Sequence, residues 1–199
     1  MGEPHVIAAG GYRRERWKNG AGWTREIHAQ PQAGGGDGWD WRLSIAEIER
    51  DAPFSTFPGV DRELVLLEGN GLRLRFADRV ETLLPPHDRL RFAGEQEVFG
   101  ELVDGATLDF NLMWRRESVD AQLWHRPLVG SMAVFVAPGE TWAVHVMAGA
   151  AEFQRDDGLP PLAAGDTALL ASDGRRRFLL EGAGEALLVR VSRRGSAPG

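Results

Sequence analysis

The sequence predicts an all-β protein built from two small antiparallel barrels of similar plan. Apolar residues alternate with polar ones over short stretches bounded by Gly and Pro, and they do not keep a helical spacing for long. Part of the sequence also recurs. Pro58-Gly59, the run LVLL and Gly69 are followed 80 residues later by Pro138-Gly139, the run AVHVM and Gly149. A repeat of this length indicates the duplication of one small β domain.

Alternation and turn residues define the individual strands. Within 39–46, Trp, Leu and Ile at the odd positions alternate with Asp, Arg, Ser and Ala. A buried-type run at 64–67 ends at the sequence EGNG, and alternation resumes at Leu72, which predicts a β-hairpin with its turn at 68–71. Further strands are predicted near 80–84, 89–92, 97–103, 107–113, 132–136, 141–147, 150–154, 167–171, 176–181 and 185–192. So many short strands favour a sandwich or barrel over a β-α-β arrangement.

The repeat also sets the expected domain organisation. We expect an N-terminal barrel over 1–115 and a C-terminal barrel over 116–195, packed as one unit, with the exchange of a strand between them left open. A disordered tail is expected at 196–199. The sequence PQAGGGDG at 31–38 predicts a flexible hairpin tip.

Composition excludes several classes of function. The 199 residues include 43% hydrophobic ones, enough to bury a core. The formal charge of −6 provides no basic field for nucleic acid, and no stretch approaches the ~18 consecutive apolar residues of a membrane helix. No Cys is present, which excludes disulfides, thiolate metal sites and thiol nucleophiles. We therefore expect no nucleic-acid partner, no membrane partner and a cytoplasmic location.

Three segments resemble a known family. They are WKNGAGWTREI at 17–27, the stretch 41–74, which begins with WRLSIAEIERD, and DFNLMWRR at 109–116. In order and spacing they resemble the HutD/Ves family, small proteins of the cupin superfamily often linked to bacterial histidine utilisation. The resemblance covers most of 12–116, with Ala21 and Ala52 at positions where Gly is expected. It implies a bicupin, that is, a double cupin of two jelly-roll-like (RmlC-like) antiparallel β-barrels. It implies no particular reaction.

The histidines do not fit the usual metal site of cupin enzymes. That site uses a His-x-His pair, a nearby Glu and a later His. The five histidines stand at 5, 28, 87, 125 and 145, and none forms His-x-His. Of the two positions where the repeat would place the pair, 60–69 contains no His and 140–149 contains only His145. We therefore expect no metal, no cofactor and no catalytic residue. The alternative is a metal-dependent isomerase or dioxygenase whose ligands come from His28, His87 or His125 together with acidic residues.

Polar residues within the family-like segments suggest a binding site. Arg42 and Ser44 share one strand face, opposite Trp41, while Thr24 and Glu26 share a face of the strand after the Gly-rich turn. These faces line either a cavity or the solvent. The hypothesis is a polar pocket, with Arg and Lys suited to a carboxylate, formed by Lys18, Asn19, Thr24, Glu26, Arg42, Ser44, Arg62 and Asn111.

Within that pocket, Arg42 and Lys18 are the expected carboxylate clamp. The alternative is structural. In it, Asp61 with Arg62 and Glu26 with Arg42 are ordinary ion pairs, and Asn19-Gly20 is only a turn.

The resulting functional prediction is a cupin that binds a small organic acid without transforming it and acts in the regulation of histidine degradation. The expected partner is a small carboxylate metabolite similar to urocanate or formylglutamate. A metal-dependent enzyme and a protein-interaction module are the alternatives, and a homodimer is left open.

Overall fold

The computed structural model describes residues 2–32, 35 and 38–195. The tail at 196–199 lies outside the described residues, and so does part of the hairpin tip at 31–38. The strands are β1 (His5–Ile7), β2 (Arg13–Arg16), β3 (Gly22–Pro31), β4 (Trp39–Ile48), β5 (Ala52–Pro53), β6 (Val60–Glu68), β7 (Leu72–Arg75), β8 (Val80–Leu83), β9 (Arg89–Ala93), β10 (Phe99–Leu102), β11 (Thr107–Arg115), β12 (Val119–Val136), β13 (Glu140–Phe153), β14 (Leu162–Ala163), β15 (Thr167–Ala171) and β16 (Arg176–Arg193).

The described part of the chain is all-β, as predicted. Its only helical turns are two 3₁₀ segments of three residues each, Ala9–Gly11 and Arg155–Asp157. No helix in these ranges has the length and apolar character needed to cross a membrane. All strand pairs are antiparallel and form three open sheets, and the pairings among the described strands close no barrel.

The chain divides into two compact units. One consists of 13–118, and the other combines 2–12 with 119–195. The division therefore lies three residues beyond the boundary expected at 115/116, and residues 2–12 group with the C-terminal half. The reason is pairing: β1 joins β15 with Val6 opposite Ala168, and the N–H of Ala9 donates to the Asp166 carboxylate at 2.8 Å.

The unit formed by 13–118 is a sandwich of two sheets. Six strands lie in the order β2-β3-β4-β11-β6-β9, and four lie in the order β5-β10-β7-β8. Apolar side chains from both sheets form one core, among them Ile48, Leu64, Leu72, Leu74 and Phe92. Burying such side chains is worth about 1.5–3 kcal/mol each. Ile48 and Leu64, which point into this core, share their strand faces with Ser44 and Arg62.

The hairpin predicted at 68–71 is wrong. β6 belongs to the six-stranded sheet and β7 to the four-stranded one, so the turn carries the chain from one sheet to the other. Gly69 and Gly71 both have positive φ, at 108° and 141°. A Cβ on Gly69 would lie 2.8 Å from the carbonyl oxygen of Ala106. The glycines therefore signal a close backbone approach at a sheet crossing as well as a turn.

The unit formed by 2–12 and 119–195 is one six-stranded sheet dominated by long strands. β13 replaces the two strands predicted at 141–147 and 150–154, and β16 replaces those at 176–181 and 185–192. Gly149 and Gly184 face each other across these strands with positive φ, and a Cβ on either would overlap a carbonyl oxygen of the partner strand. The glycines interrupt the alternation without ending the strand, because the ladder continues through them.

Corresponding hydrogen bonds occur in the two halves of the predicted repeat, in which Leu66 and Val146 stand 80 residues apart and Asp88 and Asp166 stand 78 residues apart. The N–H of Leu66 donates to the carbonyl of Asp88, and the N–H of Val146 donates to the carbonyl of Asp166, both at 3.0 Å. Each of these aspartates also accepts a backbone N–H with its carboxylate, at 3.0 Å and 2.9 Å. The matched positions therefore have the same local structure in both units.

Candidate functional site

A cavity of about 570 Å³ opens on the core-facing side of the six-stranded sheet in the unit 13–118. This volume lies within the usual range for small-molecule sites. The register of the sheet aligns its floor, because Ser44 of β4 lies between Glu26 of β3 and Asn111 of β11, and Leu64 of β6 lies opposite Asn111. The segments 15–19 and 53–57, each of which begins within the end of a strand and continues into a loop, add the walls.

Seven of the eight predicted site residues line this cavity, namely Lys18, Asn19, Thr24, Arg42, Ser44, Arg62 and Asn111. Lys18 and Asn19 are exposed at the mouth, whereas Ser44, Arg62 and Asn111 are buried. Glu26 is not a lining residue. The polar face of β4 thus borders a cavity, and the opposite face, with Trp41, is buried.

Two contacts that the structural alternative predicted, in which these residues form ordinary ion pairs and turns, are present. The Nε of Arg42 lies 2.9 Å from Oε2 of Glu26, with the two side chains 19% and 22% exposed, so this ion pair exists. The side-chain oxygen of Asn19 accepts the N–H of Ala21 at 3.0 Å and closes its own turn. Arg42 therefore already has a carboxylate partner within the protein.

Arg62 has a different environment. The predicted pair with Asp61 is wrong, because neighbouring residues of a strand point to opposite faces, and Asp61 instead contacts Arg91 and Arg116 at 3.0 Å and 2.9 Å. The side chain of Arg62 is only 6% exposed. Its guanidinium donates to the carbonyl of Ser55 at 3.4 Å, and its Nε has no hydrogen-bond partner among the described residues.

Aromatic rings surround this guanidinium. The Cζ of Arg62 lies 5.4 Å, 5.7 Å and 5.3 Å from the ring centroids of Phe54, Phe57 and Phe92. Burial, with a further contribution from the positive charge of Arg42, lowers the pKa of Arg62 to about 10. Arg62 is thus a buried cation held by π faces and without a carboxylate partner in the described part of the chain.

Asp109 is a lining residue that the sequence reasoning missed. Its side chain is fully buried on β11, and burial raises its pKa to about 7 against the opposing effect of a hydrogen bond from Thr107. The Thr107 hydroxyl donates to Oδ2 at 2.7 Å, whereas Oδ1 has no partner among the described residues. The signal was present, because Asp109 stands two residues before Asn111 and therefore shares its strand face.

The loop wall is ordered by an aromatic pair. Trp17 donates from Nε1 to the Thr24 hydroxyl at 2.9 Å, and its ring meets that of Phe54 edge to face at 6.2 Å. Segment 53–57 supplies Phe54 and Phe57 to the cavity. These contacts place apolar surface beside the Arg62 guanidinium.

None of the described residues that line the cavity is a histidine. His28 packs against Trp41 with ring centroids 4.7 Å apart, and His145 is buried with Nδ1 2.9 Å from the Thr167 hydroxyl. His125 has Nε2 3.1 Å from a carboxylate oxygen of Glu185. The cavity therefore offers guanidinium, amide, hydroxyl and carboxyl groups to a ligand.

Comparison with known proteins gives two curated relatives of similar sequence. An uncharacterised 21.2 kDa protein in the hutC 3′ region of Pseudomonas putida is 41% identical over 123 residues, which cover 62% of this chain and 64% of that protein. Protein Ves of Cronobacter sakazakii is 42% identical over 108 residues, which cover 54% of this chain and 58% of that protein. The chain thus aligns with somewhat less than two thirds of each relative's length.

Solved structures match over nearly the whole chain. HutD from Pseudomonas fluorescens SBW25 superposes with a TM-score of 0.83 at 29% identity, covering 96% of this chain and all of the other. A conserved protein of unknown function from Pseudomonas aeruginosa PAO1 gives 0.82 at 32% identity, covering 96% and 99%. The bacterial pirin YhhW of Escherichia coli, at 9% identity over 95% and 98% of the two chains and a TM-score of 0.67, shows a likeness of fold alone.

The model of the HutD family matches residues 9–188. This range includes all three segments quoted above as carrying the resemblance, the strands that form the cavity floor and both loop walls. The chain therefore belongs to the HutD family.

Proposed function

We propose that this protein binds a small carboxylic acid in the cavity of the unit 13–118, with Arg62 as the main carboxylate-binding residue, and does not transform it. The observation that carries the proposal is the buried Arg62 guanidinium, which borders the cavity without a carboxylate partner among the described residues. A buried charge normally has a partner because its desolvation is expensive. A bound anion would supply that partner.

The chemistry of the cavity suits a carboxylate. A guanidinium presents parallel N–H donors that match the two oxygens of a carboxylate. The Phe rings beside Arg62 suit the flat apolar body of an unsaturated or short-chain acid. Ser44, Thr24 and Asn111 add neutral hydrogen-bonding groups. In this proposal Lys18 raises the positive potential near the mouth, and Arg42, which is paired with Glu26, is not the primary clamp.

The link to histidine degradation rests on the relatives. The Pseudomonas putida protein is named for its place beside hutC, and the matching structure from Pseudomonas fluorescens is called HutD. Urocanate and formylglutamate are therefore the first acids to test, and a regulatory role in that pathway is part of the proposal. Cytoplasmic location and a homodimer stay predictions.

The finer description of the fold, a double cupin, is also part of the proposal. It is supported by the matched hydrogen bonds at 66–88 and 146–166 in the two units and by the fold likeness to the pirin.

The test is ligand-induced stabilisation. At a hundredfold excess over Kd, an acid that binds only the folded state adds about 2.7 kcal/mol, or roughly 5–10 °C in Tm for a chain of this size. We expect this shift with urocanate or formylglutamate and its loss in Arg62→Met, with partial recovery in Arg62→Lys. Arg73→Met, which removes an exposed arginine on the other sheet, is the matched control. No shift with any acid, or an equal shift in wild type and Arg62→Met, would reject the proposal.

A further inference from the structure

The floor of the cavity has a second unsatisfied polar group, remote from Arg62. Arg62 lies opposite Met113 of β11, whereas Asp109 stands four residues away on the same strand. At about 3.4 Å per residue, the backbone positions of Asp109 and Met113 are roughly 14 Å apart along the strand. One small functional group therefore cannot serve both Arg62 and Asp109.

The surroundings of Asp109 leave one of its oxygens without a partner. Across the ladder it lies opposite Ala46 of β4 and Leu66 of β6, neither of which has a polar side chain. On its own strand, Thr107 donates to Oδ2. Oδ1 is buried and has no partner among the described residues, although Asp109 borders the cavity. A buried acceptor without a donor is unfavourable by about 1–3 kcal/mol, so a ligand donor there would be stabilised.

The charged groups that line the cavity come from several elements. β4 contributes Arg42, β6 contributes Arg62, β2 contributes Glu15 and Arg16, and the turn after β2 contributes Lys18. The carboxyl of Asp109 has no salt-bridge contact with any of these among the described residues, whereas Glu26 neutralises Arg42. Oδ1 of Asp109 therefore keeps an unused hydrogen-bonding capacity beside the cavity.

We propose that Asp109 is a second recognition point, which accepts a hydrogen bond from an N–H group of the same acid whose carboxylate contacts Arg62. The inference rests on the proposed function and narrows its ligand class to elongated acids that have a carboxylate at one end and an imidazole or amide N–H towards the other. A cavity of about 570 Å³ has room for such a molecule. A short acid without the N–H would satisfy Arg62 only.

The test compares two acids of the same shape. Urocanate has an imidazole N–H, and 3-(2-thienyl)acrylate has a five-membered ring without one. Isothermal titration at pH 7.5 should give urocanate at least tenfold tighter binding to the wild type, because a site with an unpaired acceptor discriminates against the analogue that lacks the donor. In Asp109→Leu the ratio should fall to about one, with the affinity for thienylacrylate changed less than threefold. Asp109→Asn, which keeps an acceptor oxygen, should retain part of the ratio.

The outcomes separate this inference from the proposed function. Equal binding of both acids to the wild type overturns the role of Asp109 while leaving the carboxylate site at Arg62 intact, and this result requires no variant to fold. An equal loss of both acids in a folded Asp109→Leu protein also overturns it, because a merely structural residue would not change the ratio. No binding of either acid to the wild type rejects both. Asp120→Asn, an exposed position on β12, serves as the control.

Discussion

Replacing Arg62 by Met should make the unliganded protein more stable while abolishing binding of the acid. Met has a similar length and fills the space between the rings of Phe54, Phe57 and Phe92 without a charge. The opposite expectation holds for a structural arginine, whose loss would lower stability. The substitution therefore tests whether the residue is kept for function at a cost in stability.

The magnitude follows from the environment of the guanidinium. Its pKa falls to about 10 in the folded state, well below the ordinary value of an arginine in the unfolded chain. Between these two pKa values the folded state binds fewer protons than the unfolded state, so the free energy of unfolding falls as the pH decreases through this window. The destabilisation is complete below pH 10 and therefore applies at neutral pH. It amounts to roughly 3 kcal/mol. The substitution also removes three cation–π contacts, which reduces the stabilisation expected from removing the buried charge by roughly 2 kcal/mol. We expect a net gain of about 1 kcal/mol.

The assay is thermal unfolding of both proteins at pH 7.5 without ligand, and then with urocanate or formylglutamate. The gain corresponds to a rise in Tm of about 2–4 °C for a chain of this size. The ligand-dependent shift should disappear in Arg62→Met. A fall of several degrees in the unliganded Tm would refute the reasoning, because it would mean that the π contacts and the Ser55 hydrogen bond outweigh desolvation.

Two further predictions concern the neighbouring charges. Asp109→Asn should stabilise the unliganded protein by up to about 4 kcal/mol at pH 8 and by almost nothing at pH 4. The raised pKa of Asp109 makes the folded state bind more protons than the unfolded state between about pH 4 and 7. The stability of the wild type therefore falls as the pH rises through that window, and the Asn variant avoids this loss. Urea unfolding at both pH values measures it, and equal effects at the two would contradict it. Arg42→Ala should lower the free energy of unfolding by about 1 kcal/mol through loss of the partly exposed pair with Glu26, and should weaken acid binding less than Arg62→Met. Unchanged stability together with complete loss of binding would make Arg42 the primary clamp.

Local sequence patterns predicted the structure correctly where it depends on the alternation of side chains along one strand or on the residues of a turn. The period of two placed Arg42 and Ser44 on one face, and the structure has both on the cavity. The same rule, applied to Asp109 and Asn111, would have added the missing carboxyl group. Pro58-Gly59 is a dipeptide typical of a turn, and Gly59 has a φ of 76° directly before β6.

Long-range pairing was not accessible in this way. The turn at 68–71 looks the same in sequence whether the next strand pairs with the previous one or enters another sheet. The N-terminal strand likewise has no local feature that assigns it to β15, because its pairing with 167–169 joins residues that are far apart in the chain. Such contacts depend on which hydrophobic faces meet, and a single strand's alternation does not specify its neighbour.

By itself the sequence determined the all-β class, the family and the faces on which the polar side chains lie, since these depend on residues close together in the chain. Only the tertiary structure decided that the polar face of β4 borders a cavity and that Arg42 has a carboxylate partner while Arg62 does not. The physical reason is that desolvation and ion pairing depend on groups brought together from different strands. Arg42 meets Glu26 across β3 and β4, and Arg62 meets the aromatic rings of 53–57 and β9.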